Sequence, residues 1–353
     1  MNSTLFLGHG KTEMRGGPAI FMSIYNLWPE EEKYLIYEKS YFHAVKKLIR
    51  FTRHKKISTL ILENEYFTEV FLGFMLKIHD RKLNIYGPAY HIPSPPEFGR
   101  GVLNSLIHYI DYKLGLFLMV YLYSGIYTEN SYMKNYIKGL NPELEVIVES
   151  PGIRKDDIVP LVQIKNFHRD IDFLYLTSMT RNKGIYDFLE MIKQVQRDHD
   201  GIKACIAGYA STEILDYINS FVKNNAIKNI EIYPNINEKE KYKLYSRSKI
   251  YVLPSIEDGI PITFYEAWSH GDLVIAYNLE TYSDISDYFI GVRKGNTEDL
   301  IRICENAYMY YATQFKDFFE KSYNYSMQHS YENGIEKIIK NIMESTNSVP
   351  PEE

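Results

Sequence analysis

The stretch that most constrains this chain runs from Ile250 to Ala276. It begins with an apolar run, Ile250-Tyr-Val-Leu, that stops at Pro254 and reads as a buried strand of a parallel sheet. Glu257-Asp258-Gly259 is too polar and too flexible to continue the strand, so it forms a loop. From about Thr263 the pattern turns helical, with Phe264, Ala267 and Trp268 on one side and Glu266 near the first turn. Gly271 ends that helix, and Leu273-Val-Ile-Ala276 opens the next strand. Strand, acidic loop, helix and strand together put Asp258 and Glu266 at the crevice beyond the strand's carboxyl end. Open α/β sheets bind ligands there.

The same alternation fills the rest of the chain. In the amino-terminal half, strands are expected at Thr4–Gly8, Tyr34–Tyr37, Ser58–Leu62, from Leu83, at Ile126–Asn130 and at Glu145–Val148. Helices are expected at about 19–26, 41–54, 66–79 and 131–138. Spacing of this kind argues for βαβ units and a parallel sheet. Gly16-Gly17, between the first strand and the first helix, lets backbone approach a ligand and offers amides to an anion. His91 ends the loop after the fourth strand, just before the proline-rich Ile92-Pro-Ser-Pro-Pro96. In the carboxyl-terminal half, Asp172–Leu176 opens a new strand, and the loop Thr177–Gly184 carries Arg181 and Lys183 into a helix from Ile185. Further strands fall at Ala204–Gly208 and from Glu231, with helices at 239–248, from Thr297 and at 331–344. Arg154–Arg169 is charged and irregular and reads as a linker.

Composition narrows the function classes. At 353 residues with 45% hydrophobic side chains, the chain has room for two cored domains. A net charge of −5 argues against a general nucleic-acid binder. Cys205 and Cys304 stand too far apart in sequence for a disulfide framework or a zinc spacing, which fits a reducing, cytoplasmic setting. The amino terminus reads as a strand and not as a signal peptide. The longest apolar stretch, Leu114–Tyr123, is well short of the roughly 20 residues that span a bilayer and is expected to be a buried helix. Two Asp-x-Asp pairs, Asp170/Asp172 and Asp198/Asp200, precede a strand or sit in a polar loop, so both read as solvated turns. No histidine spacing suggests a metal centre. The segment 43–56 is basic with apolar residues interleaved. Such a helix suits either a solvated face or peripheral contact with an anionic membrane.

With Asp258 and Glu266 separated by seven residues, and Gly259-Ile-Pro ahead of Glu266-Ala, the sequence resembles the retaining glycosyltransferases of the GT-B fold, family 4 or group 1. The resemblance is strongest over 172–285 and looser in the first half. It implies an α/β protein of two Rossmann-like, doubly wound parallel-sheet domains facing across a cleft. The domains would be 1–155 for the acceptor, 156–325 for the nucleotide sugar, and a helix and frayed tail at 326–353 returning to the first.

By the same resemblance, Gly16 and Gly17 border the donor's diphosphate, His91 faces the transferred sugar, and Lys183 with Gly184 belongs to the diphosphate-neutralising element. Ser178 fills that element's arginine position, and Arg181 is the replacement charge in the same loop. Asp258, or Glu257 beside it, takes the sugar hydroxyls. Gly259, Ile260 and Pro261 shape the donor loop, and Glu266 takes the ribose hydroxyls. The implied partners are a UDP- or GDP-sugar and a glycan or lipid-linked acceptor, with no metal or other cofactor and no nucleic acid. The departures at Ser178 and Asp258 leave open an alternative, a catalytically silent relative that binds a nucleotide, a glycan or a partner protein.

Overall fold

The computed structural model describes residues 3–9, 17–29, 33–38, 40–93, 102–149, 152–314 and 316–347. The chain divides into two compact units, one from residues 1–150 and 332–353, the other from 151–331.

The first unit is a parallel six-stranded sheet. Its elements in order are β1 (Thr4–His9), α1 (Gly17–Leu27), β2 (Lys33–Glu38), α2 (Tyr41–Thr52), β3 (Thr59–Leu62), α3 (Phe67–His79), β4 (Asn84–Pro88), α4 (Val102–Leu122), β5 (Gly125–Thr128), α5 (Ser131–Leu140) and β6 (Glu145–Val148). The strand order is β2-β1-β3-β4-β5-β6. Every connection after β2 steps the same way along the sheet, so right-handed crossovers place α2, α3, α4 and α5 on one face. The core agrees: Ala44 and Leu48 of α2, Val70 of α3, Leu116 of α4 and Ile137 of α5 pack together over the strands. On the other face the α1 residue Phe21, and Trp28 just beyond that helix, meet Phe6 edge-on, at 5.7 and 5.6 Å between ring centroids.

The second unit begins with a 3-10 turn (Lys155–Asp157) and α6 (Leu161–Ile164). Then follow β7 (Ile171–Leu176), α7 (Ile185–Asp198), β8 (Ala204–Gly208), α8 (Thr212–Asn224), β9 (Ile230–Pro234), α9 (Glu238–Arg247), β10 (Ser248–Leu253), α10 (Ile262–His270) and β11 (Leu273–Asn278). A 3-10 helix (Glu280–Tyr288), β12 (Ile290–Arg293), α11 (Thr297–Gln314) and α12 (Lys316–Gln328) complete it. The strands are parallel in the order β12-β11-β10-β7-β8-β9. The expected central strand is β10, which pairs with β7 through Ile250 opposite Phe173. Ile250 and Val252 enter one core and Tyr251 and Leu253 the other, so the run is apolar throughout because both faces are covered. Gly271 ends α10 in the left-handed conformation at φ 80°. Last, α13 (Tyr331–Asn347) packs in the first unit, where Ser345 Oγ donates to Glu145 at 2.6 Å.

Three expectations are corrected. The stretch 154–169 is no loose linker: Tyr323 donates to the Val159 carbonyl at 3.0 Å, and Arg169 pairs with the buried Asp272 at 2.7 Å. Asp170 and Asp172 are not solvated turns. Asp172 is buried in β7 and held by Lys249 at 2.6 Å, and Asp170 takes a two-pronged contact from Arg247. Leu114–Tyr123 is not a buried helix, since Leu114, Phe117 and Tyr121 are 47%, 58% and 59% exposed on α4.

Candidate functional site at the ends of β7 and β10

The sheet of the second unit changes winding direction between β7 and β10, so the loops after these strands leave to opposite sides. The crevice between them is the ligand position of a doubly wound sheet. The two loops are Thr177–Gly184 and Pro254–Pro261, tied by the Ile256 amide donating to the Asn182 carbonyl at 2.9 Å. Gly184, predicted as a donor-loop residue, precedes α7 at φ 76°. A Cβ there would lie 1.9 Å from the Pro254 carbonyl oxygen. Both the torsion and the approach demand glycine. Gly184→Ala is therefore expected to cost about 3 kcal/mol or more in a urea melt, because backbone must yield.

Lys183 and Asp258, read separately from sequence, meet. Lys183 Nζ lies 2.5 Å from Asp258 Oδ2, with side chains 27% and 14% exposed. Ser255 Oγ donates to the same oxygen at 3.3 Å, and Thr281 Oγ1 donates to the Asp258 carbonyl at 2.8 Å. Arg181 is exposed on the same loop as Lys183, and Glu257 is half-buried beside Asp258. Gly259, Ile260 and Pro261 are buried and lead into α10. Ser178 contributes its carbonyl to Tyr175 OH at 3.0 Å.

Glu266 departs from the expectation of an open crevice carboxylate. It is 6% exposed, because the fifth residue of α10 faces α9. Lys241 Nζ donates to Oε1 at 2.6 Å and Tyr245 OH to Oε2 at 3.1 Å. Burial would lower the Lys241 pKa, but Glu266 and Glu238 outweigh it, so the ammonium titrates above its ordinary range. Sequence reasoning missed Lys241 and Tyr245. Their signal is the i, i+4 spacing on the apolar side of an otherwise charged helix.

Behind Glu266 lies His270, 1% exposed, stacked on Tyr242 at 5.4 Å and on Phe167 at 6.4 Å. Its Nδ1 sits 2.8 Å from the Glu266 carbonyl oxygen. Burial pushes its pKa down to about 4, with Arg169 and Lys241 adding to the effect. The folded value lies below the unfolded one, so the neutral ring's contribution is whole above the unfolded pKa of 6.5 and is lost as pH falls toward 4. Between pH 7 and pH 5 that loss is on the order of 2 kcal/mol. His270→Phe lacks it, so the stability gap between wild type and variant is expected to narrow on acidification, as read by denaturant midpoints.

Three predicted residues belong to the first unit. Gly17 opens α1, while Gly16 lies outside the described residues. His91 follows β4, half-buried, with Tyr112 OH donating to its carbonyl. Near it stand Glu63 and Glu65, after β3, and Glu69, in the first turn of α3, all buried and not singled out by the sequence reading. Burial pushes the Glu65 carboxyl up to about 7, with His91 pulling the other way. Tyr37 OH donates to Glu63 at 2.9 Å. Among the described residues, no group of three or more His, Cys, Asp or Glu is placed to hold a metal ion.

Comparison with known proteins bears on the second unit and on the fold. The family model described as glycosyl transferases group 1 matches residues 161–294, the segment that carries Lys183, Asp258 and Glu266. Comparison with curated proteins finds no match. The crystal structure of Anabaena HepE in complex with UDP-glucose is similar over 97% of this chain and 99% of that one, with TM-score 0.74 and 10% identity. Sucrose-phosphate synthase from Thermosynechococcus elongatus aligns over 98% and 99%, with TM-score 0.71 and 10% identity. The pneumococcal O-GlcNAc transferase GtfA, in complex with UDP and GlcNAc, aligns over 86% of this chain and 60% of its own, with TM-score 0.64 and 12% identity. The fold is the one the sequence implied: α/β, two Rossmann-like doubly wound parallel sheets of the GT-B kind.

Proposed function

We propose that the protein is a retaining, metal-independent glycosyltransferase that moves a sugar from a UDP- or GDP-sugar to a hydroxyl of a glycan or lipid-linked acceptor. The Lys183–Asp258 pair at the switch between β7 and β10 carries this reading. The difficult step is departure of a diphosphate that gains charge as the anomeric bond breaks. Lys183, helped by Arg181 on the same loop, supplies positive charge where it develops. The diphosphate offers Lys183 a second anionic partner in place of Asp258, and the Lys183 side chain is exposed enough to reach it. The exchange leaves Asp258, with Glu257 beside it, to accept the sugar's hydroxyls and to favour positive charge at the anomeric carbon.

Glu266 has both oxygens engaged, yet a carboxylate offers about four lone-pair positions, which leaves capacity for the ribose hydroxyls. Two of the similar structures hold UDP together with a sugar or as a UDP-sugar, which favours UDP over GDP as the donor's nucleotide. The protein works in the cytoplasm, with peripheral membrane contact in the basic region 43–56. The test is turnover. UDP release from a panel of UDP- and GDP-sugars in EDTA, with the product's anomeric configuration read by NMR, should show a retained linkage. Nucleotide binding without turnover across a broad acceptor panel would favour the silent alternative.

A further inference from the structure

The first unit leaves a large apolar surface uncovered. On α4, Ile107, Ile110, Leu114, Phe117 and Tyr121 recur at helical spacing and are 47–59% exposed. On α3, Phe71, Met75 and Ile78 are 38%, 50% and 59% exposed. These helices share the sheet face established above, with α4 crossing close over the start of α3. A Cβ on Gly115 would meet the Glu65 carbonyl at 2.1 Å and the Phe67 amide at 2.8 Å. Large side chains at about half exposure leave on the order of 800 Å² of apolar surface, well above the few hundred Å² usual for a patch on a monomer.

Charge decides what covers it. Lys46, Lys47, Arg50 and Arg53, on α2 and at its end, are exposed, with Phe42 and Ile49 exposed among them. At the far end of the same face, Lys56 and Lys82 line one shallow pocket, and Lys55 and Arg81 beside them are exposed. Carboxylates offset them only in part: Lys47 pairs with Glu38 and Asp80 lines the pocket with Lys56 and Lys82, while Glu63, Glu65 and Glu69 are buried and Asp111 is half-buried. A chain of net charge −5 has thus gathered exposed cations around an exposed apolar face. A second copy on this face would bring like charges together, whereas an anionic bilayer satisfies both features at once.

We infer that the α3–α4 face, rimmed by the cations at the ends of α2 and α3, docks on an anionic lipid bilayer. Phe117 and its apolar neighbours enter the headgroup boundary, and Lys55, Lys56, Arg81 and Lys82 meet lipid phosphates. The basic segment is the electrostatic rim of this surface, and α3 and α4 supply the insertion. Docking does not depend on the transfer chemistry, since nucleotide binding in solution tests that reading separately.

The test is flotation of the full-length protein with vesicles of phosphatidylcholine alone or mixed with phosphatidylglycerol, at low and high salt. Binding is expected only to the anionic vesicles and to weaken with salt. Ile110→Glu/Phe117→Glu and Lys55→Glu/Lys56→Glu should each reduce partitioning about tenfold while leaving the thermal midpoint unchanged. Phe117→Trp emission should shift to the blue on binding. Failure to float with any vesicle would overturn the proposal, and so would undiminished binding of the Ile110→Glu/Phe117→Glu variant. A stable dimer in sedimentation velocity that this variant dissociates would assign the face to a second copy instead.

Discussion

Lys183→Ala is expected to lower kcat/KM by about 10²- to 10³-fold, the scale seen when one preorganised charge or donor is removed from a developing anion. The loss should fall on kcat as well as KM, because the diphosphate gains charge as the bond breaks. The fold should survive, since the Lys183 side chain is over a quarter exposed and Ser255 Oγ still donates to Asp258. Lys183→Arg restores charge without restoring position: the fork is longer and planar, so partial recovery is expected. Steady-state kinetics with the best donor, beside a denaturant melt, separates the catalytic effect from a folding effect.

Lys241→Met is expected to act the other way, on stability first. Glu266 is 7% exposed at its side chain, and Lys241 is its cationic partner at 2.6 Å. Removing that partner strands a buried carboxylate and should cost about 3–5 kcal/mol. Adding Glu266→Gln should recover most of the loss, because Tyr245 OH can still donate to the amide oxygen. Nucleotide affinity should not recover, since the carboxylate proposed to take the ribose hydroxyls is gone. A double-mutant cycle in urea, with UDP titrations on each variant, reads both quantities. Equal stability of all four proteins would mean that the pair does not hold α9 against α10.

The central strand, its acidic loop and the glycine that ends α10 were legible because each rests on a local rule. Ile250–Leu253 must be buried on both faces, Gly184 and Gly271 must take positive φ, and Asp258 must follow the strand end. The resemblance assigned Lys183 and Asp258 to one donor site, but their contact depends on β10 lying beside β7, which is a property of strand order.

What escaped is non-local. Lys241 is one of three lysines in Glu238–Arg247, and only the packing of α9 on α10 distinguishes it. Glu63, Glu65 and Glu69 carry no local mark of burial, yet the first unit buries all three. Leu114–Tyr123 looked buried because a helix apolar on all sides is normally covered. Tyr112, Leu116 and Met119 do face the core, and the remaining apolar side is the uncovered one.

The account stands most directly on one titration: isothermal calorimetry of UDP against the full-length protein in EDTA, repeated with Lys183→Ala. It predicts a single site that persists in the chelator and weakens about tenfold or more in the variant. Absence of binding by both UDP and GDP, or unchanged affinity in Lys183→Ala, would contradict the assignment of a nucleotide-sugar site to the crevice between β7 and β10.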